Sequence, residues 1–179
     1  FEWLPQETIV FDGGRAHSTT RFDLAASAAL IAWECWCLGR PAIGETFQSG
    51  DLDLRLDVYV DEVPLLLERL RVDAGGGMSS APWGLGGHAA FATCLAYPAD
   101  PTVAETLRAL CAHYMAGADA VRDAPRVDAA VTQLGDLLVM RARGPGTRAL
   151  NPLLRAAWSM LRPHVVGRRG LAPRIWAAS

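Results

Sequence analysis

A chain of 179 residues, 51% hydrophobic and 20% charged with a net charge of −2, has the composition of one globular domain with a sizeable core, residues 1–179 together, rather than of a disordered segment. Near-neutral charge removes the electrostatic case for nucleic acid or an anionic membrane; the longest apolar or small run, Ala25 to Trp33, stops at Glu34 and is too short to span a bilayer. All 17 basic residues are arginine, which excludes a Schiff-base amine and the lysine of a phosphate-binding loop.

The opening Phe1-Glu2-Trp3 carries neither an initiator methionine nor a signal peptide and reads as the start of a fragment. Thr8–Phe11, Arg15–Leu24 and Leu30–Leu38 follow as strand candidates. The clearest segment is Asp51 to Val60, where Leu52, Leu54, Leu56, Val58 and Val60 alternate with Asp51, Asp53, Arg55, Asp57 and Tyr59. A period of two puts the aliphatics on one sheet face and nearly every charge on the other. A turn at Asp61-Glu62 leads to a second strand, Pro64 to Val72, so the pair reads as a hairpin. Gly75-Gly76-Gly77 predicts a flexible turn, and Ala89–Tyr97 another strand. Thr102-x-x-Glu105 after Pro101 is a capping box; Val103, Leu107, Leu110, Cys111 and Tyr114 recur behind it at helical spacing, with Gly117 suited to end that helix. An Arg/Asp loop spans 117–126. Val127–Gln133 and Leu137–Arg141 flank Leu134-Gly135-Asp136 as a further hairpin. Asn151 is a suitable N-cap for a second helix with Pro152 at its first position. Its apolar stripe is Leu153, Leu154, Ala157, Trp158 and Leu161, and Pro163 ends it. The fold class is mainly β with two helices (α+β).

Two carboxylates stand where carboxylates do not belong. Glu34 lies in a strand apolar on both faces, as expected of one buried on both sides. Glu68 shares its strand face with Leu66 and Leu70. An unpaired buried carboxylate costs several kcal/mol or takes up a proton. A partner must offset that cost: an arginine (Arg69, Arg71 or Arg40), a polar water-filled passage, or a metal ion. Glu45 follows a turn-rich stretch and reads first as a loop cap or salt bridge; Glu7 and Asp12 bracket a short strand, Asp12 with a turn role.

Cys35 and Cys37 point to one strand face, as soft-metal ligands would, but share it with Ile31 and Trp33. Cys111 and His113 diverge around a helix, and His88 reads as a loop histidine. Four cysteines form no disulfide framework for this length, which indicates a reducing, cytoplasmic setting. No Gly-x-Ser-x-Gly, His-Glu-x-x-His or Cys-x-x-Cys is present, so no catalytic residue is assigned; a hydrolase using Cys94 or Cys37 would need a strongly lowered thiol pKa.

Several segments together resemble one family. Trp3 to Gly13, Leu38 to Glu45, Leu66 to Asp73, Ala81 to His88 with Phe91-Ala-Thr93, and the closing Leu161-Arg-Pro163, Gly167-Arg168 and Pro173 to Trp176 resemble, in order, motifs of the UreD (UreH) urease accessory proteins. The match starts mid-family, without roughly the first third. The resemblance implies an extended superhelical β-strand scaffold with two helices and no enzymatic turnover. It also implies binding to UreF, to UreG through UreF, and to apo-urease, with nickel passing transiently along acidic side chains. Glu34 and Glu68 fall in the matching segments as the leading path residues; Glu45, Glu7 and Asp12 follow. A scaffold through which nickel never passes is the alternative.

Overall fold

Leu30–Leu38, apolar on both faces, forms a strand that is covered on both of them. The computed structural model describes residues 1–116 and 126–177. Its strands are β1 (Glu2–Trp3), β2 (Thr8–Val10), β3 (Arg15–Leu24), β4 (Leu30–Leu38), β5 (Asp51–Val60), β6 (Val63–Asp73), β7 (Ala90–Tyr97), β8 (Asp128–Leu134) and β9 (Leu137–Gly144). The helices are the single turn α1 (Gly77–Ser80), α2 (Pro101–Ala116) and α3 (Thr147–Val165). A larger sheet runs β1-β4-β7-β9-β8, with β2 also pairing along β4, and a smaller one runs β3-β5-β6.

Three layers result. On one face of the larger sheet, Ile31, Trp33, Cys35 and Cys37 pack with Leu107 and Cys111 of α2 and with Leu153, Leu154 and Leu161 of α3. The other face meets the smaller sheet through two separate apolar clusters. The mainly β reading with helices holds, as do both hairpins. Asp61 and Glu62 turn β5 into β6 at φ of 45° and 68°, the left-handed geometry that two-residue hairpin turns demand. Gly135-Asp136 links β8 to β9, with Leu134 opposite Leu137.

The helix boundaries differ from the sequence expectations. Asp100, not Thr102, caps α2: its Oδ1 accepts the Val103 N–H at 3.0 Å, and Pro101 takes the first helical position. Glu105 turns instead to Arg108. Helix α3 starts at Thr147, so Asn151 and Pro152 lie inside it, and Pro163 does not end it. An interior proline costs about 3 kcal/mol. Seven buried side chains, from Leu150 to Val165, outweigh that, at roughly 1.5–3 kcal/mol for each large one. Gly75 turns as expected, with φ of 70°, while Gly77 opens α1. Gly117 and the 117–126 loop, Arg126 excepted, lie outside the described residues. No helix among the described residues is long and apolar enough to cross a membrane.

Candidate functional site

Strand register builds a polar seam inside the two-sheet sandwich. Across the larger sheet Glu34 stands opposite Thr93, and Thr93 opposite Arg141. Across the smaller sheet Thr20 stands opposite Leu56, and Leu56 opposite Glu68. The rows face each other. Thr20 Oγ1 donates to Glu34 Oε1 at 2.5 Å. Arg141 Nη2 bonds Glu68 Oε2, while its Nε lies 3.4 Å from Oε1. On one side of the seam lie Leu30, Ala32, Leu95, Leu137 and Val139; on the other lie Trp36, Leu38, Leu54 and Phe91. The stripe therefore divides the inter-sheet core in two.

A small chamber of about 20 Å³ is lined by Glu34, Trp36, Glu68 and Thr93 with Leu54, Leu56, Leu70 and Phe91. That is room for about one water. Beside it lies a surface cleft of about 500 Å³ that shares Glu68, Leu70, Phe91 and Thr93 as walls. Arg141, Asp128 and Arg143 line the cleft's polar side, Met78 and Leu85 its apolar side, and the exposed Trp83 its rim. At the other end of the seam, Thr20 sits on the edge strand β3.

Burial pushes the Glu34 carboxyl above its ordinary range; the Thr20 hydroxyl and the Trp36 indole oppose this and the charge of Glu68 adds to it. Trp36 is 7% exposed, and its indole N–H, which meets no acceptor at full hydrogen-bond geometry among the described residues, lies close enough to Glu34 to favour the charged carboxylate. The arginines offered by the sequence are otherwise engaged. Arg69 pairs with Asp57, Arg71 with Asp73 and Arg40 with Glu45. The cation on Glu68 is Arg141, from a strand 73 positions away, and no arginine bonds Glu34 among the described residues.

The remaining candidates lie elsewhere. Glu45 pairs with Arg40 and accepts the Asp12 N–H at 3.2 Å. Asp12 in turn accepts the N–H groups of Gln48 and Ser49, each at 2.8 Å. Arg40 holds the Glu45 carboxyl below its usual range, and the Ser49 and Gln48 amides do the same for Asp12. Both brace one loop. Glu7 accepts the Thr147 hydroxyl at 3.4 Å and borders a pocket of about 20 Å³ with Cys35 and Trp176. This is the helix side of β4, opposite to Glu34. Burial, with help from Glu7 and Cys37, pushes the Cys35 thiol up to about 12. Burial raises Cys37 as well and carries Cys94 to about 12. Protonated thiols are poor metal ligands and poor nucleophiles. No group of three or more His, Cys, Asp or Glu suited to a metal ion occurs among the described residues.

Sequence reasoning missed Thr20, Thr93 and Arg141. For two of them a signal was available, since Thr93 breaks an apolar face between Phe91 and Leu95 and Arg141 does so after Leu137 and Val139, whereas Thr20 follows Ser18 on its face and carries no such mark. Which of these lone polar residues meet is decided by sheet register.

The comparisons point one way. The profile of the UreD urease accessory protein family matches residues 1–177. A urease accessory protein UreD of Alkalilimnicola ehrlichii is 43% identical over 178 residues, covering 99% of this chain and 57% of the relative. That of Pseudomonas putida strain W619 is 43% identical over 98% of this chain and 58% of its own length. That of Klebsiella aerogenes is 39% identical over 98% and 59%. The chain thus spans a little under three fifths of the length of these relatives.

Proposed function

The chain belongs to the UreD urease accessory protein family, and from that premise we propose that it is the nickel-handling part of a non-enzymatic scaffold for urease maturation. The observation that supports this most is the polar seam, which links a wide cleft to the Thr20 edge between two apolar clusters. A divalent cation moving from the cleft would meet Glu68 and Thr93 first, then Glu34 and Thr20. All four offer oxygen, and oxygen donors in a hydrated site hold nickel loosely, which suits transfer better than storage. Trp36 narrows the chamber on one side, and Leu54, Leu56 and Leu70 close it against the core.

In this reading the assembled accessory protein works in the cytoplasm, holding UreF, UreG through UreF, and apo-urease, while nickel is its transient cargo. The test uses the full-length protein with Glu34→Gln and Glu68→Gln, supplied with UreF, UreG and apo-urease to cells lacking the native accessory protein. Pull-down of intact complexes together with at least tenfold less nickel in the urease is the expected result. Urease that fills normally overturns the passage and favours the second reading, a structural adaptor. That reading draws support from Thr20 and Arg141, which give both glutamates protein partners.

A further inference from the structure

Arg141 occupies the place a cation would take. Its guanidinium bonds Glu68 where the small chamber adjoins the cleft, and its own side chain is 44% exposed to the cleft against 23% for Glu68. While that pair is closed, Glu68 is neutralised and only Glu34 remains to attract a cation. Were Arg141 to swing away, two carboxylates would face the chamber, matching the charge of a divalent ion. The indole N–H of Trp36 lines the same space beside the Glu34 carboxyl and adds a polar atom to its wall.

A second dock for the guanidinium lies close by. Arg141 stands opposite Ala130, and Arg143 opposite Asp128, so Asp128 is the diagonal neighbour of Arg141 on the cleft-facing side of β8. Diagonal pairs across antiparallel strands are within reach of long side chains. Asp128 is 54% exposed, accepts Arg143 Nε at 2.9 Å and has His88 Nε2 at 3.5 Å. A carboxylate can take a second guanidinium on its remaining lone pairs.

We propose that Arg141 gates the seam, closing it on Glu68 and opening it by transferring to Asp128. This rests on the passage reading above, and its test separates the two. Ni²⁺ serves as the probe, titrated calorimetrically and by stopped flow into the full-length protein. Arg141→Gln frees Glu68 and tightens Ni²⁺ binding about fivefold, the equivalent of losing one competing, half-exposed ion pair. Adding Glu68→Gln abolishes that gain. Arg141→Lys keeps the charge at the mouth and binds Ni²⁺ within about twofold of the wild type, which excludes general disruption as the cause. Asp128→Asn slows Ni²⁺ association about threefold in the wild type and not at all in Arg141→Gln. Equal affinities of wild type and Arg141→Gln, with binding that still depends on Glu68, overturn the gate and leave the passage standing. An Asp128→Asn effect that persists without Arg141 also overturns the gate. Binding indifferent to both Glu34 and Glu68 overturns the passage and the gate with it.

Discussion

Asp57 on the charged outer face of β5 and Glu34 on the inner face of the doubly apolar β4 are both carboxylates with little water around them, and their protons behave oppositely. Asp57 is the more covered by solvent-accessible area, its side chain 1% exposed beneath Arg55 and Arg69 on the outer face. Burial alone would raise its pKa, yet bonds from Arg69 at 2.9 Å and Arg55 at 2.6 Å outweigh that and hold it below the ordinary range. Glu34 lies within the sandwich with the neutral Thr20 hydroxyl and Trp36 indole for company, and burial pushes it up. Loss of accessible area does not by itself decide whether a carboxylate stays charged; the charge of its partner does. The outer face therefore carries a closed ion triad, while the inner seam keeps a carboxyl still able to take a cation.

The comparison can be broken from the outside first. Arg55→Ala with Arg69→Ala strands Asp57 without a cation and lowers stability at pH 7 by about 3 kcal/mol in urea denaturation. Asp57→Asn is milder, costing about 1–2 kcal/mol, because the half-exposed arginines regain water. The folded pKa of Asp57 is depressed, so its contribution is present above the unfolded value and lost as pH falls through the folded one. The difference between Asp57→Asn and wild type accordingly shrinks in acid.

Glu34 reverses that sign. Its folded pKa is raised, so between the ordinary carboxylate value and the folded one the native state holds a proton that the unfolded chain has released, and stability falls as pH rises. Glu34→Gln removes the penalty: it stabilises by about 1 kcal/mol at pH 8 and gives nothing below about pH 3, where both states are protonated. A substitution that instead destabilises, and does so more at high pH than in acid, would show that Glu34 has a cation partner in solution. The smallest change comes from the loop: Glu45→Gln leaves the denaturation midpoint unchanged within error, since the pair with Arg40 is solvent-screened.

Much of the fold was legible because its signals are local. Alternation marked β5 and its hairpin to β6, Gly135-Asp136 marked the second hairpin, and the doubly apolar Leu30–Leu38 announced a strand covered on both sides. The start of α3 was not legible, since Pro152 and Asn151 read as a beginning while packing against the sheet carries the helix back to Thr147. Glu34 and Glu68 were found as misplaced charges, and the structure brings them to one chamber. Glu7, Asp12 and Glu45 were found by the same residue type, and the structure sets them apart from it.

The sequence by itself determined which faces are apolar, where carboxylates interrupt them, and the family to which the motifs belong. Only the tertiary structure decided that Thr20 meets Glu34 and that Arg141 meets Glu68, 14 and 73 positions away. The physical reason is that periodicity records the direction of a side chain relative to its own strand. Its partner depends on sheet order and register, which are settled by the burial of the entire apolar face at once.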